Sequence, residues 1–564
     1  MKTGNKLTLA FIFITFLYTA LAAQSYKIVV LPFDKLNKEK NSELETLSVG
    51  ISETLSGALS TVENFVVIDS NRVKRHLLEN AEFKQTMGIE TGDIEKLREL
   101  TKEKLDADYI VYGTFNKIGK KIQLNAKFMN ISSGEVIKGS NVHGNYPDEI
   151  FTLQEQLAKD LTGKISGKSA TKQQDNKIEE YSNSTGNYTA YQYYIKGRME
   201  QIQYDVKSYP HAVENYNTAL KYDKKYALAW AGLSEVNALW GYQIKYANGK
   251  WQPYLKIAIE QAIKAVEYGP NLYQTHRALS MAYLNNSDFK NAQKAIDRAY
   301  ELNKQDAEIL QIKSQLKNYG YKEMAKPGTE SNRYIRECLA LNPELIIAKW
   351  SLAHSYSTIG DNDNALREYM EILKINPKHA PALHGIALIY YNRNDYKNSE
   401  IYALQTVEAD PWTAQHHYTL GLAYYKQSVW KTAEGHFRDA IRLNPDYVDA
   451  IVNIGLCHYQ QGDYKKAITE FKKAVAKKPN APNYYNLGLA YYQLKKYDDA
   501  ISYFHQATAY DPKYVNAWFS IANSYWYKSL WDKAYEYYNK VLEIDPNNSE
   551  ARKWRDDSYQ KMNK

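Results

Sequence analysis

Residues 420–445 read LGLAYYKQSVWKTAEGHFRDAIRLNP, and this stretch decides the architecture. Leu420, Gly421 and Tyr424 share one face of a first helical segment, and Ala433, Phe437 and Ala440 share one face of a second. Pro445 then ends the second segment, because proline lacks the amide hydrogen and clashes with the preceding turn. The pattern returns as Leu487, Gly488, Tyr491, Ala500, Phe504 and Ala507 before Pro512. It returns again as Trp518, Ile521, Ala522, Tyr525, Ala534, Tyr538 and Val541 before Pro546. With Pro377, Pro411 and Pro479, six prolines mark a repeat of about 34 residues. Small residues sit where two helices approach closely and large ones fill the space between, so the units stack as helix pairs.

This spacing resembles the tetratricopeptide repeat. Earlier units are weaker: Tyr193–Tyr222 keeps Gly197, Ala212, Tyr216 and Ala219, and the unit 273–304 keeps Leu279, Tyr283, Ala292 and Ala299. The stretches 224–271 and 306–344 are interrupted, the first by an insertion around 242–252 and the second by Pro327-Gly328. About ten repeats are expected over 187–547, with 548–564 as a charged capping helix. In such an array the first helices line a concave groove. The aromatic residue after the core position is expected to point into it: Tyr391, Tyr425, Tyr459, Tyr492 and Trp526, with Leu388, Leu422, Leu456 and Leu489 one turn earlier. A ladder of rigid rings and leucines suits an extended peptide or a partner helix. The alternative is that these rings only pack between neighbouring repeats. A basic clamp for a carboxylate needs Lys, Arg and Asn on that face, where leucine stands instead.

Ahead of the array the pattern changes. Lys2 and Lys6, the apolar run Leu7–Leu17 and the small residues Ala20–Ala23 give a secretory signal layout, with cleavage expected after Ala22. An uncleaved anchor is the alternative; no other stretch is apolar enough to span a membrane, and no cysteine near residue 22 offers a lipid site. Over 24–165, strands at Lys27–Leu31, Phe65–Ile68, Tyr109–Phe115, Ile122–Asn130 and Val136–Val142 alternate with helices. The helices are expected over Leu44–Leu59, through Phe83 with Asn71 as cap, over Ile94–Leu105 with Thr91 as cap, and from Pro147 to Ile165. The fold class is thus an α/β domain, a mixed sheet with packed helices, followed by an all-α superhelix. Residues 166–186 (SGKSATKQQDNKIEEYSNSTG) read as a flexible linker.

Val29-Val30-Leu31-Pro32-Phe33, Leu47–Glu53, Phe65–Asp69, Ala107–Thr114 and Ser133–Val136 resemble the TolB amino-terminal-like (CsgG/FlgO-like) domain of bacterial envelope proteins. That resemblance implies assembly, transport or sensing in the envelope, with no catalytic residue shared. It implies a periplasmic or secreted protein whose partners are envelope proteins or peptides, and leaves self-association through this domain open. The pore-forming relatives carry a lipidated cysteine and long barrel strands that this chain lacks.

Composition narrows the chemistry. Of 564 residues, 72 are basic and 64 acidic, a mild excess unlike the basic stripe of a nucleic-acid binder. Two cysteines build neither a disulfide framework nor a four-thiolate zinc site. Tyrosine is abundant, 51 residues beside 14 phenylalanines, as expected where amphipathic rings recur at equivalent places. No phosphate loop, nucleophile elbow or metalloprotease motif is present. His416-His417 and His436 form the one close histidine group and read as packing; Cys338 reads as a buried small residue and Cys457 as more open. No enzyme activity, metal or cofactor is expected.

Overall fold

The computed structural model describes residues 25–36, 42–68, 70–73, 76–77, 94–167, 170–204, 207–246, 251–317 and 321–563. The leader, the residues after Val73 in the expected Asn71 helix, and Thr91 fall outside them, apart from 76–77. No helix among the described residues is long and apolar enough to cross a membrane. The chain divides into two units, one of residues 1–245 and 250–375, the other of 376–564 with 246–249.

The first unit begins with a mixed sheet of β1 (Tyr26–Val30), β2 (Asp34–Lys35), β3 (Phe65–Val67), β4 (Tyr109–Ile118), β5 (Lys121–Asn130) and β6 (Val136–Asn145). The order is β3-β1-β4-β5-β6, with β2 alongside β4. β1 runs parallel to β3 and β4, while β4, β5 and β6 form an antiparallel meander. The hairpin turns at Gly119, whose φ of 59° suits a residue without Cβ. β2, two residues long, is too short to leave a pattern in the sequence.

Burial follows from the pleat. Ile28 and Val30 face helix α1 (Ser42–Ser60), whereas Val29 and Leu31 join Leu97, Leu100 and Leu105 of α3 (Ile94–Leu105), which follows the short α2 (Ser70–Val73). β1 and β4 are therefore covered on both faces and read as continuous apolar runs. In β5, Ile122, Leu124, Ala126 and Phe128 are buried while Lys121, Gln123 and Lys127 are exposed, the alternation of a sheet with one open face. α4 (Ile150–Ser166) supplies Leu153, Leu157 and Leu161 to the same core as α1.

The linker expectation is overturned. Residues Lys172–Ser182 form helix α5, opened by a capping box in which Thr171 and Gln174 satisfy each other's backbone amides. Its composition is polar, yet Ile178 and Tyr181 are enough to seat it on α1: a Cβ at Gly57 would meet the Tyr181 ring at 2.0 Å. Tyr191 of α6 (Tyr188–Gln201) does the same at Gly50, two turns away, where its hydroxyl lies 2.5 Å from Thr54 Oγ1 and donates to the Gly50 carbonyl. One hydrophobic core thus runs from the sheet through α5 and α6 into the first helix pairs.

From Tyr188 to Ile544 the described residues hold ten successive helix pairs, and Ser549–Met562 follows them. The insertion near 242–252 lengthens both helices of its pair, Ala227–Tyr246 and Gln252–Tyr268. All six prolines stand two residues past the end of a second helix. A Cβ at Gly421, Gly455 or Gly488 would come within 2.5–2.6 Å of the Phe437, Phe471 or Phe504 ring of its own pair, so the small-to-large pattern is a close approach of two helices. Seven of the ten first helices are followed by a left-handed residue: Ser287, Gly360, Asn394, Ser428, Gly462, Lys495 and Ser529. The amide after it reaches back to the helix, as from Asp395 to the Tyr390 carbonyl at 2.9 Å, while Asn394 bonds Tyr391; this is a Schellman end.

Candidate functional site: a ladder face and an inner cavity

In the second unit the five expected rings occupy one structural position. Tyr391, Tyr425, Tyr459, Tyr492 and Trp526 are each the penultimate residue of a first helix, and all are half-buried, as are Leu388, Leu422, Leu456 and Leu489. Four of the rings lie edge-on to the aromatic residue that opens the next helix. The pairs are Tyr391–Tyr396 at 5.6 Å, Tyr459–Tyr464 at 5.3 Å, Tyr492–Tyr497 at 5.5 Å and Trp526–Trp531 at 4.7 Å. Neighbouring rungs are also tied together. Gln493 donates to the Tyr459 hydroxyl at 3.0 Å, Gln460 reaches the Tyr425 hydroxyl at 3.5 Å, and Tyr527 meets Tyr492 at 5.9 Å. Burial raises the pKa of Tyr391, Tyr425 and Tyr459, so these phenols stay protonated donors. The rings are thus pre-oriented by packing and still present part of their surface.

The preceding residues form a second stripe. Tyr390–Tyr402, Tyr424–His436, Tyr491–Tyr503 and Tyr525–Tyr537 are near-parallel stacks, each spanning twelve residues, with ring planes 5–22° apart. These two stripes account for much of the tyrosine in this unit. Cys457 corrects its expectation: it is fully buried beside Phe437 and Ile454, and burial pushes its thiol up to about 12. Cys338 is buried as well.

The first unit holds a different kind of site. A cavity of about 230 Å³ opens between α1, α6 and the starts of helices Tyr273–Asn285 and Ala307–Leu316. Arg277 is its centre: Nε contacts Glu235 Oε1 at 2.9 Å, and Nη1 contacts Asp306 Oδ2 at 3.0 Å and Glu308 Oε2 at 2.7 Å. The Tyr204 hydroxyl donates to Glu308 at 2.6 Å, and Arg198 stands 3.9 Å from Glu235. Desolvation by itself lowers the pKa of Arg277, but Glu235, Glu308 and Asp306 outweigh it and hold the guanidinium well above its ordinary value. Burial raises the Asp306 carboxyl, whereas for Glu308 the desolvation is overcome by Arg277 and Arg198, which lower it. Two further cavity-lining atoms, Gln274 Oε1 and Gln305 Oε1, are buried without a hydrogen-bond partner. These charges lie far apart in the sequence and form no local motif. The legible trace is a single one: Glu235 interrupts the otherwise apolar helix ALAWAGLSEVNALW.

A sequence model described as tetratricopeptide repeat matches residues 418–482 and 485–549, and a second of the same description matches 276–306 and 348–379. A search of curated proteins finds no match. Similar solved structures include YrrB, described as a TPR protein with an unusual peptide-binding site: 22% identity over 32% of this chain and 95% of that one, TM-score 0.30. The APC/C hetero-tetramer Cut9–Hcn1 gives 16% identity, 73% and 85% coverage and TM-score 0.38. Pseudomonas aeruginosa PilF gives 18%, 38% and 97%, and 0.33. The matched helix pairs carry the buried small residues and left-handed turns described above, and the helical array of this chain is built of tetratricopeptide repeats.

Proposed function

We propose that the chain is a non-enzymatic scaffold whose ladder face binds an extended peptide or partner helix. The observation that carries this reading is the recurrence of one half-buried, pre-oriented ring in five successive repeats. Rings already fixed by neighbours lose little entropy on binding, which is what an aromatic hot spot requires. The leader-like start and the TolB-like segments support a periplasmic or secreted setting, with the sheet region docking on an envelope assembly for secretion, surface fibres or motility. A photo-reactive residue at position 459 tests it in native cells, with exposed Lys472 as the control. Capture of the same envelope proteins at 459 and not at 472 supports the scaffold; equal or empty capture at both removes the ladder from the account.

The inner cavity favours a second reading, a ligand-sensing regulator. A small molecule seated against Arg277 and α1 would touch both the sheet module and the first repeats, so its binding would stiffen the whole first unit. Thermal shift of the full chain against a panel of charged metabolites separates the two readings, since the scaffold predicts no shift.

A further inference from the structure

Three side chains that the ladder leaves unused converge in the second unit. His417 lies on helix Ala414–Lys426, while His436 and Asp439, three residues apart on one face, lie on Trp430–Leu443. One ligand atom from each lies within 4.8 Å of the others, and His417 Nδ1 is 3.9 Å from Asp439 Oδ2. The tautomer of His417 follows from its other nitrogen. Nε2 is 3.1 Å from the Pro411 carbonyl, which can only accept, so the proton is on Nε2 and Nδ1 offers a lone pair. That Nδ1 is buried without a hydrogen-bond partner, as is Nδ1 of His436. The His436 ring is fixed by its stack on Tyr424, 5.6 Å away and 5° from parallel.

We propose that His417, His436 and Asp439 bind a divalent transition-metal ion of the zinc class, through the two Nδ1 atoms and a carboxylate oxygen. Two imidazoles and one carboxylate select zinc, cobalt or nickel over calcium or magnesium, which favour all-oxygen shells. The Pro411 carbonyl holding Nε2–H is the outer-shell contact that orients a ligating histidine. Zinc bonds of about 2.0–2.1 Å at tetrahedral angles place ligand atoms about 3.4 Å apart, so the set must close by roughly 1 Å. Asp439 can supply that movement, since its side chain is 37% exposed. Its Oδ1 is held by Arg442 at 2.8 Å, an exposed pair too weak to block Oδ2. Three protein ligands leave a coordination position for water.

The full chain, stripped with chelator, is titrated with Zn2+ or Co2+ while far-UV circular dichroism monitors folding. A single ion is expected to raise the thermal midpoint, and Co2+ to give the visible absorption of a tetrahedral site. D439N should weaken binding at least tenfold, and H436N or H417Q should abolish the Co2+ band while the fold persists. Absence of the band in folded wild type, or unchanged affinity in the folded H436N/D439N variant, would overturn the proposal; the second outcome places any bound ion elsewhere.

Discussion

The inner cavity and the ladder face use tyrosine in opposite senses. In the first, Tyr191, Tyr204, Tyr216 and Tyr226 lie around the polar cavity or the core beside it, and burial raises their pKa strongly. There the ring is a spacer that carries a hydroxyl to a buried acceptor, such as Glu308 for Tyr204. In the second, Tyr391, Tyr425, Tyr459 and Tyr492 are half-buried, packed edge-on or tied to neighbouring side chains. The same residue is thus a polar strut inside and a contact surface outside. What separates the two is whether the phenol is enclosed with a buried acceptor, a carboxylate for Tyr204, a side-chain amide for Tyr216 and a backbone carbonyl for Tyr191.

That contrast can be broken most severely at Arg277. Arg277→Met leaves Glu235, Asp306 and Glu308 short of a buried counter-charge, and a loss of about 3–5 kcal/mol in urea unfolding is expected. A loss under about 1 kcal/mol would show that the network is solvated and not structural. Acid comes next, and strikes the second unit. Burial, with His416 adding to it, lowers the pKa of His384 to about 3, and burial lowers that of His379 to about 4. Their folded values lie below the unfolded one, so the unfolded chain binds the extra protons. Stability is whole above about pH 6.5 and falls towards pH 4, by up to about 1.4 kcal/mol per pH unit for each histidine. His384→Gln should remove one such proton from the slope of stability against pH.

A smaller effect is expected on the ladder. Tyr459→Ala should weaken partner capture about tenfold, or about 1.4 kcal/mol. Its effect on stability should be far below that of Arg277→Met, because the ring is only half-buried. Equal losses at both positions would erase the distinction between strut and surface. The smallest change has the opposite sign. Lys495 closes a helix at φ 58°, a region that costs an L-residue about 1–2 kcal/mol and glycine nothing steric, so Lys495→Gly should stabilise by about 0.5–1 kcal/mol.

The helix pairs were legible because each records its packing locally: Gly421 and Phe437 touch, and lie sixteen residues apart in one unit. The mixed sheet was legible too, since β1 and β4 are continuous apolar runs and β5 alternates. Helix α5 was not, because Ile178 and Tyr181 among polar residues carry too little periodicity to announce a buried face. The cavity was hidden for another reason. Arg198, Glu235, Arg277 and Glu308 come from four helices, and the stacking of successive repeats brings them together. Cys457 was misjudged by one face of its helix, where Ile454 and not the ladder sets its surroundings. The histidine cluster was visible as residues, but the free Nδ1 of His417 follows only from the Pro411 carbonyl, and that of His436 only from its burial in the structure.

The seating of Tyr181 and Tyr191 on α1 bears on how the molecule can be dissected. Among the described residues, the atoms nearest to a Cβ at Gly50 and at Gly57 belong to Tyr191 and Tyr181, which lie past residue 166. A truncation at that point would strip α1 of its cover and expose an apolar furrow, so the sheet module excised as residues 26–165 should aggregate or remain partly unfolded. Limited proteolysis of the intact chain should likewise spare 172–182, which the sequence alone marks as the first place to cut.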